Sequence, residues 1–301
     1  MGKGLLPSKC LLVLIATALG MAAGAGEAPR PASQPATNPT TRFSIATYNI
    51  NYGNARLETV AATLRKSAAD VVCLQETNPQ SERYLRRQLR GLYPHMSFRH
   101  DGGAGGFAFL SKAPLTGIGY VPRKHGWFGM HTAEVTLGGQ KVFLANLHLV
   151  PVNPRQGESL VGTFFRSESI RANEITWFSR QLPAKGPVIL VGDLNSRSDL
   201  YAPQYLRSLG YTDSFAAVTE TPDRHTTWRW RYKGIDWQFR IDYIFHSPQL
   251  RTLASRVVPS DGSDHNLVCS TLAWAPPKQP EESAARTPGG KTASSDAKGS
   301  P

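Results

Sequence analysis

Apolar residues in the central part of the chain, residues 42–275, follow two spacings that replace one another repeatedly. Alternating apolar and polar positions, as in residues 43–49, predict half-buried strands. Leu57, Val60 and Leu64 recur instead at the spacing of one helical face. We predict strands over residues 43–49, 70–75, 107–111, 131–137, 141–148, 187–191, 241–246 and 267–273, and helices over residues 56–68, 81–89, 167–182 and 200–209. Strands outnumber helices, which indicates a mixed α/β domain.

Both flanks of this central part lack such periodicity. Residues 26–41 are rich in Pro, Ala and Thr, and residues 276–301 are rich in Pro, Ser, Gly and Lys. Neither segment can bury enough apolar surface to offset its chain entropy. We therefore predict a disordered linker over residues 26–41 and a disordered tail over residues 276–301.

The first 25 residues follow the pattern of a signal peptide. Lys3 and Lys9 precede an uncharged apolar run over residues 11–21. Small residues at positions 23–25 form a cleavage pattern. The run is shorter than the ~20 apolar residues that cross a bilayer, and an uncleaved anchor is the alternative interpretation. We expect residues 1–25 to be a signal peptide and the domain to be secreted or periplasmic.

The composition, with 40% hydrophobic and 19% charged residues, is typical of a soluble globular protein. The formal net charge of +12 falls to +10 without Lys3 and Lys9, and about +9 of it lies in residues 42–275. A basic surface favours polyanionic partners such as nucleic acid or an anionic membrane. A basic protein without such a partner is the alternative.

Two cysteines, Cys73 and Cys269, remain after such a cleavage, and both lie in apolar runs. An exported protein can pair its cysteines, but only where their geometry permits a disulfide. We predict two buried thiols.

Polar residues recur where the predicted strands begin or end. They are Asn49, Asn51, Glu76, Asn146, His148, Asp193, Asn195, Asp242, Asp264 and His265. At a strand end a side chain can leave the core and meet a ligand, so several such residues predict one shared cleft. Each residue alone has a simpler interpretation, because an Asp-Leu-Asn is commonly a turn and an Asp-His is commonly a hydrogen-bonding pair. Their joint presence in order is what indicates a site.

Six segments together carry a resemblance to a known family. In chain order they read ATYNIN, VVCLQET, NLHL, VGDLNSR, RIDYIF and GSDHN. This ordered set resembles the endonuclease/exonuclease/phosphatase superfamily, which has the DNase I-like fold, and it covers essentially all of residues 42–275. The resemblance implies an α/β (α+β) protein with a four-layer sandwich, in which two packed β-sheets are flanked by helices. It places the site at one edge of that sandwich.

The resemblance also implies a metal site. Glu76 is implied as the principal carboxylate ligand, with Asn49, Asn51 and Asp264 nearby. All four residues offer oxygen atoms, and no Cys or His cluster has the spacing of a zinc site. Hard oxygen ligands suit Mg²⁺ or Mn²⁺.

By the same resemblance, the remaining residues act on a phosphate ester. Asp193 and His265 serve around the attacking water, and the sequence leaves open which of them takes its proton. Asp242 holds the His265 imidazole in one tautomer and favours its charged form. Asn195 donates a hydrogen bond to the phosphate, and His148 contacts the phosphate or the leaving oxygen, as a charged donor if it is protonated.

Two loops interleave aromatic and cationic residues and are candidates for substrate binding. The candidates are Trp228, Arg229, Trp230 and Arg231 in residues 225–240, and Arg123 in residues 123–128. Aromatic rings beside cations suit stacked bases and phosphates, and they also suit a membrane interface. A third interpretation is an amphipathic hairpin whose tryptophans pack inward.

These features predict an exported, divalent-metal-dependent phosphodiesterase that hydrolyses nucleic acid and acts as a monomer. A sphingomyelinase-like or other phospholipid phosphodiesterase is the alternative among enzymes. A catalytically silent module that binds polyanions on the same fold is the alternative from another class. Intact acidic and histidine positions argue against that silent module, namely Glu76, Asp193, Asp242, Asp264 and His265.

Overall fold

Strands dominate the part of the protein that the computed structural model describes, which is residues 41–232 and 234–276. The strands are β1 (Arg42–Asn49), β2 (Val71–Gln75), β3 (His95–Arg99), β4 (Phe107–Ser111), β5 (Leu115–Val121), β6 (Met130–Leu137), β7 (Gln140–His148), β8 (Val188–Asp193), β9 (Thr212–Asp213), β10 (Trp228–Tyr232), β11 (Ile235–Phe239), β12 (Asp242–His246), β13 (Leu250–Val258) and β14 (Leu267–Trp274). The α-helices are α1 (Leu57–Ser67), α2 (Pro79–Leu89), α3 (Leu160–Ser179) and α4 (Tyr201–Ser208).

The strands form two six-stranded sheets and a separate hairpin of β10 and β11. The first sheet has the order β13-β14-β1-β2-β4-β3, and the second has the order β5-β6-β7-β8-β12-β9. Each sheet contains one central parallel pair, β1 with β2 and β7 with β8. A parallel pair needs a crossover connection, which contains α1 in the first sheet and α3 in the second. The two strands of each pair therefore end at the same edge of their sheet.

Three apolar clusters separate four layers. The cluster between the sheets includes Ile45 and Val71 from the first sheet and Leu144 and Ile189 from the second. A second cluster packs α1 and α2 on the outer face of the first sheet, and a third packs α3 and α4 on the outer face of the second. Fully burying such a side chain stabilises the fold by ~1.5–3 kcal/mol, so these clusters hold the layers together. The predicted four-layer sandwich is confirmed.

Four edge strands and the first turns of α3 are absent from the sequence prediction, and β10 and β11 enter it only as an alternative hairpin. The strands β3, β5, β9 and β13 all lie at sheet edges, where one side of the strand is open and the alternation of apolar and polar residues is weak. Helix α3 begins before residue 167, where Ser159 Oγ accepts from the Gly162 backbone N–H at 3.0 Å. Val161 and Phe165 in its first turns are exposed, so no buried apolar face marks this part of the helix.

The two cysteines are buried and unpaired, as predicted. They occupy opposite faces of the first sheet, since Cys73 belongs to the cluster between the sheets and Cys269 to the cluster beneath α1 and α2. A disulfide needs Cβ atoms ~3.8 Å apart, which side chains on opposite faces do not reach. Burial raises the pKa of the Cys73 thiol and so keeps it protonated and unreactive.

The segments predicted as signal peptide and linker, residues 1–25 and 26–41, lie outside the described residues except for the last position of the linker. The predicted tail, residues 276–301, lies outside them except for its first position. These three predictions therefore stay predictions. In the described part of the chain, none of the helices has an apolar stretch long enough to cross a bilayer.

Candidate active site

Five strands deliver polar side chains to one edge of the sandwich. Asn49 ends β1 beside Gln75 at the end of β2, and His148 ends β7 beside Asp193 at the end of β8. Asp242 begins β12 directly opposite Asp193. The parallel pairing in both sheets thus places these residues at neighbouring strand ends.

The side-chain amide of Asn49 connects the two sheets at this edge. Its Nδ2 donates to Glu76 Oε1 at 2.9 Å and to Asp193 Oδ2 at 3.1 Å. Its Oδ1 accepts from the backbone N–H of Asn51 at 3.0 Å, which fixes the orientation of the amide. Glu76 follows a strand of the first sheet and Asp193 ends a strand of the second, so both carboxylates face one cleft.

Glu76 is held in this cleft by a strained backbone. Its φ is +59°, a left-handed conformation that costs a non-glycine residue ~1–3 kcal/mol. Asn51 and Asn195 share this feature, so three of the four non-glycine residues with positive φ in the described chain belong to the cleft. Burial raises the pKa of Glu76, although its carboxylate accepts hydrogen bonds from Asn49 and from the backbone N–H of Tyr52.

Asp264 lies next to Asn51 in the loop that precedes β14. Asn51 Nδ2 donates to Asp264 Oδ1 at 3.1 Å, and Ser263 Oγ donates to the same oxygen at 3.2 Å. The indole Nε1 of Trp228 donates to Asp264 Oδ2 at 3.1 Å. Trp228 is predicted to bind substrate, and in the structure its indole orients a carboxylate of the cleft.

His265 forms the centre of a buried ionic group. Its Nδ1 lies 2.9 Å from Asp242 Oδ2, and its Nε2 lies 3.6 Å from Asp193 Oδ2. Burial alone lowers the pKa of His265, but the carboxylates of Asp242 and Asp193 outweigh it and raise the pKa above its usual value. Burial raises the pKa of Asp193 against the opposing effect of the His265 imidazole. Asp242 therefore orients the imidazole and favours its charged form.

His148 is buried beside the same carboxylates. Its Nε2 lies 3.6 Å from Asp193 Oδ2 and 3.8 Å from Glu76 Oε1. The ring of Phe128 stacks on the imidazole with a centroid separation of 4.3 Å and an interplanar angle of 15°. Burial lowers the pKa of His148, which favours a neutral imidazole over the charged donor that the sequence allows.

Asn195 follows β8 and braces the turn that carries Asp193. Its backbone N–H donates to Asp193 Oδ1 at 2.8 Å, and its Nδ2 donates to the Leu149 carbonyl at 3.0 Å. The second proton of that Nδ2 is the one left for the predicted contact with a phosphate.

The cleft carries an excess of negative charge. Its four carboxylates belong to Glu76, Asp193, Asp242 and Asp264. Within residues 41–232 and 234–276, no lysine or arginine forms an ion pair with any of them, and only histidines lie opposite. A divalent cation neutralises such charge, and carboxylate oxygens are the ligands that Mg²⁺ and Mn²⁺ prefer. The residues present therefore fit the predicted metal.

Two places in the cleft offer metal ligands. Glu76 and Asp264 are the predicted carboxylate ligands, whereas the predicted amide oxygens of Asn49 and Asn51 accept from backbone N–H groups instead. The second place has one ligand atom each, mutually within 4.8 Å, from Asp193, Asp242 and His265. The bond from His265 Nδ1 to Asp242 suits a carboxylate–imidazole pair, so the first place is the better candidate for a metal.

The hairpin of β10 and β11 stands beside the cleft, because Trp228 forms a β-bridge with His265. Trp230 pairs with Trp237 across the hairpin, and these residues are 47% and 39% exposed. Trp228 and Phe239 stack next to them, with centroids 6.1 Å apart. The interpretation in which the hairpin tryptophans pack inward is wrong for Trp230 and Trp237.

The arginines predicted to bind substrate are exposed but already have partners. Arg229 and Arg231 each lie beside an aspartate, at 3.1 Å and 3.6 Å, and Arg123 Nη1 donates to the Trp127 carbonyl at 2.6 Å. Exposed ion pairs contribute only ~0–1 kcal/mol, so a polyanion can compete for these guanidinium groups.

Two residues that shape the cleft, Gln75 and Glu174, are absent from the sequence prediction. Below the cleft, Gln75 Nε2 donates to Asn146 Oδ1 at 2.7 Å, which adds a second amide contact between the sheets. Buried Glu174 in α3 accepts from the backbone N–H of Val150 at 2.9 Å, just past His148. In the sequence, a polar residue at the end of an apolar run, such as Gln75 in VVCLQ, could indicate a buried polar contact. The sequence does not show which residue Gln75 contacts.

Known proteins resemble this chain in sequence. Residues 46–265 match the Endonuclease/Exonuclease/phosphatase family. The exodeoxyribonuclease of Bacillus subtilis (strain 168) is 28% identical over 234 residues, which are 67% of this chain and 87% of that protein.

Solved structures share the fold at 19–20% identity. The endonuclease/exonuclease/phosphatase from Beutenbergia cavernae has a TM-score of 0.60 over 78% of this chain and 72% of its own. TDP2 of D. rerio complexed with single-strand DNA product also has 0.60, over 77% of this chain and 98% of its own. Sphingomyelinase C from Streptomyces griseocarneus has 0.54 over 77% and 99%. With the match over residues 46–265, these findings show that the chain belongs to the Endonuclease/Exonuclease/phosphatase family.

Proposed function

We propose that this protein is a divalent-metal-dependent phosphodiesterase that hydrolyses nucleic acid. The observation that carries the proposal is the Asn49 amide, which lies within 3.1 Å of carboxylates from both sheets, Glu76 and Asp193. His265 Nε2 lies 3.6 Å from the second of these carboxylates. Groups for holding a metal and groups for moving a proton thus share one cleft. The similarity to a Bacillus subtilis exodeoxyribonuclease supports nucleic acid as the substrate.

Different residues of the cleft have different proposed roles in hydrolysis of the phosphate ester. Glu76 and Asp264 would hold Mg²⁺ or Mn²⁺, which would supply positive charge to neutralise a non-bridging phosphate oxygen. Asp193 accepts the proton of the attacking water, because its raised pKa brings its basicity closer to that of a general base. His265 is charged through its contact with Asp242 and stabilises the anionic phosphate. Asn195 donates its remaining Nδ2 proton to a phosphate oxygen.

Hydrolysis of bis-p-nitrophenyl phosphate with Mg²⁺ tests the proposal. We expect Asp193→Ala and His265→Ala each to lower turnover at least ~10²-fold, and we expect EDTA to abolish it. Asp199→Ala, which removes an exposed carboxylate from the segment after β8, is the matched control. Near-normal turnover in either of the first two variants removes that residue from the mechanism. A wild-type protein that binds DNA but hydrolyses no ester is a silent module instead.

The exposed tryptophan pair favours a second candidate, a phospholipid phosphodiesterase. Trp230 and Trp237 lie on a hairpin next to His265, and exposed tryptophans suit a membrane interface. A substrate panel of plasmid DNA, RNA and sphingomyelin vesicles separates the two candidates. Turnover of sphingomyelin vesicles with neither nucleic acid cleaved would replace the nuclease proposal.

We also propose that the domain acts outside the cytoplasm after residues 1–25 are removed. The charged start, apolar run and small residues at positions 23–25 support this. Cell fractionation of the full chain, compared with a chain that lacks residues 1–25, tests it. Retention of the full chain in the cytoplasm contradicts export.

A further inference from the structure

A second polar cavity lies between the edge strands β3 and β5, at the open side of the sandwich. Its volume is about 460 Å³, within the range of ~300–1,000 Å³ that small-molecule sites occupy. The side chains that line it include Ser97, Arg99, His100, Ile118, Tyr120 and His131. None of these residues belongs to the cleft described above.

The cavity lies at the same end of the sheets as the active-site cleft. Arg99 pairs with Phe107, and Phe107 pairs with Gln75, the residue before Glu76. In the second sheet, β5 is two strands away from β7, which ends at His148. Two strand spacings of ~4.8 Å, or about 10 Å, separate Arg99 and Tyr120 from the strands that end at the cleft, and His131 on β6 is one spacing from β7. A nucleotide next to a phosphate in the cleft can therefore reach the cavity.

One wall of the cavity is a buried histidine with an unsatisfied nitrogen. His131 is 2% exposed, its Nε2 lies 3.4 Å from Ser97 Oγ, and its Nδ1 has no hydrogen-bond partner in the described chain. Burial, assisted by Arg99, lowers the pKa of His131 to about 4. The neutral imidazole presents one donor and one acceptor. An unsatisfied buried nitrogen is unfavourable, so a polar ligand that hydrogen-bonds to it would be stabilised.

The lining also includes a guanidinium held against an aromatic ring. Arg99 Cζ lies 3.6 Å from the centroid of the Tyr120 ring. Tyr120 is itself fixed, because its hydroxyl donates to Asp101 Oδ2 at 3.2 Å and accepts from the backbone N–H of Gly129 at 3.1 Å. A guanidinium in this position offers a flat cationic surface on which a planar ring can stack.

We propose that this cavity binds a nucleobase of the substrate strand, stacked on Arg99 with its edge hydrogen-bonded to His131. A flat cation beside a neutral donor and acceptor matches the face and the edge of a base. A bare phosphate is a poorer match, because His131 is neutral and the Nε2 of His100 is already 2.8 Å from the carboxylate of Glu82. The proposal rests on the proposed nuclease function, since the base belongs to a nucleotide whose neighbouring phosphate lies at Glu76.

Cleavage of a single-stranded oligonucleotide by Arg99→Ala is the first test. We expect kcat/KM to fall about tenfold, which is within the range measured for loss of one stacked base. Turnover of bis-p-nitrophenyl phosphate should change less than twofold, because a molecule bound in the cleft is too short to reach the cavity. Arg83→Ala on α2 is the matched control, since it removes an exposed arginine that does not line the cavity. An equal loss in Arg83→Ala assigns the effect to overall charge and overturns the proposal.

Direct binding is the second test and does not depend on nuclease activity. The ¹⁵N signals of the His131 ring, assigned with His131→Phe, are followed in EDTA while deoxyadenosine 5′-monophosphate is added. We expect the nucleotide to shift them and ribose 5-phosphate and inorganic phosphate to leave them unchanged. Equal shifts from ribose 5-phosphate, or no shift from any probe, overturn the nucleobase assignment. If the wild type cleaves neither DNA nor RNA, the nuclease proposal fails, and this measurement still decides what the cavity binds.

Discussion

Glu174 provides a quantitative test of the packing around the cleft. Its side chain is fully buried in α3 and accepts a hydrogen bond from the Val150 backbone N–H at 2.9 Å. Burial raises the pKa of this carboxyl from 4.5 to about 8, although Val150 and Arg171 act in the opposite direction. The variant Glu174→Gln keeps an oxygen for Val150 and removes the titration.

The direction of the pH effect follows from the two pKa values. Between pH 4.5 and about 8 the folded protein retains a proton on Glu174 that the unfolded chain has lost. The free energy of unfolding therefore falls as the pH rises, by ~1.4 kcal/mol per pH unit. From pH 5.5 to pH 7.5 the Glu174 carboxyl is expected to lower the free energy of unfolding of the wild type by ~2–3 kcal/mol, a contribution that Glu174→Gln lacks.

Urea unfolding of both proteins at pH 5.5 and 7.5 measures this difference. The stability of Glu174→Gln relative to the wild type should increase by ~2–3 kcal/mol between the two pH values. Every other titrating group is common to both proteins and cancels. Glu220→Gln, at an exposed position, controls for the loss of one carboxylate. A difference between wild type and Glu174→Gln that does not change with pH would refute the reasoning.

Two further predictions concern the backbone beside the cleft and the charge of the domain. Gly192 precedes Asp193 with φ +140°, and an added Cβ meets the Leu147 carbonyl oxygen at 1.9 Å. We expect Gly192→Ala to lower the free energy of unfolding, measured by urea titration, by at least ~1–3 kcal/mol. The loss is expected because the backbone at Leu147 must move to relieve the clash. An unchanged urea midpoint of Gly192→Ala would contradict this prediction. We also expect nuclease activity at subsaturating DNA to fall steeply as NaCl rises from 50 to 200 mM, because the positive domain releases counterions from phosphates. Nuclease activity that does not change with NaCl concentration would show that the positive charge of the domain does not contribute to DNA binding.

The positions of the cleft residues can be predicted from the sequence because they depend on where strands end. Asn49, His148 and Asp193 each close a strand with strong apolar signals, and such strands are recognised from the chain alone. The family resemblance then implies the catalytic and metal-binding roles of these residues. It also implies that the six segments belong to one fold.

The directions of the side chains cannot be predicted in this way. The Asn49 amide presents its nitrogen to Glu76 and Asp193, although the sequence suggests an oxygen ligand, because Asn51 N–H already occupies the oxygen. Trp228 likewise bonds to Asp264 through a contact between distant parts of the chain. Such orientations are set by tertiary contacts that no local pattern records.

The edges of the sheets are the other part that the sequence does not reveal. Strands β3 and β5 lack a clear alternation, and the cavity between them is therefore absent from the sequence analysis. Arg240 is a similar case, since it ends an aromatic and basic loop yet is buried and lies 2.9 Å from Asp213. Its charge serves the fold and adds nothing to the binding surface.

The Asn49 contact spans the boundary between the sheets, so lateral sliding of one sheet over the other changes the separation of Glu76 and Asp193. A misplacement of about 1 Å among reacting groups can lower a rate ~10²-fold. Truncating a side chain of the cluster between the sheets, such as Ile189, can therefore lower the catalytic rate while the protein stays folded. In a screen of random variants, many slow enzymes should carry their substitutions deep in the interior, far from any atom that touches the phosphate.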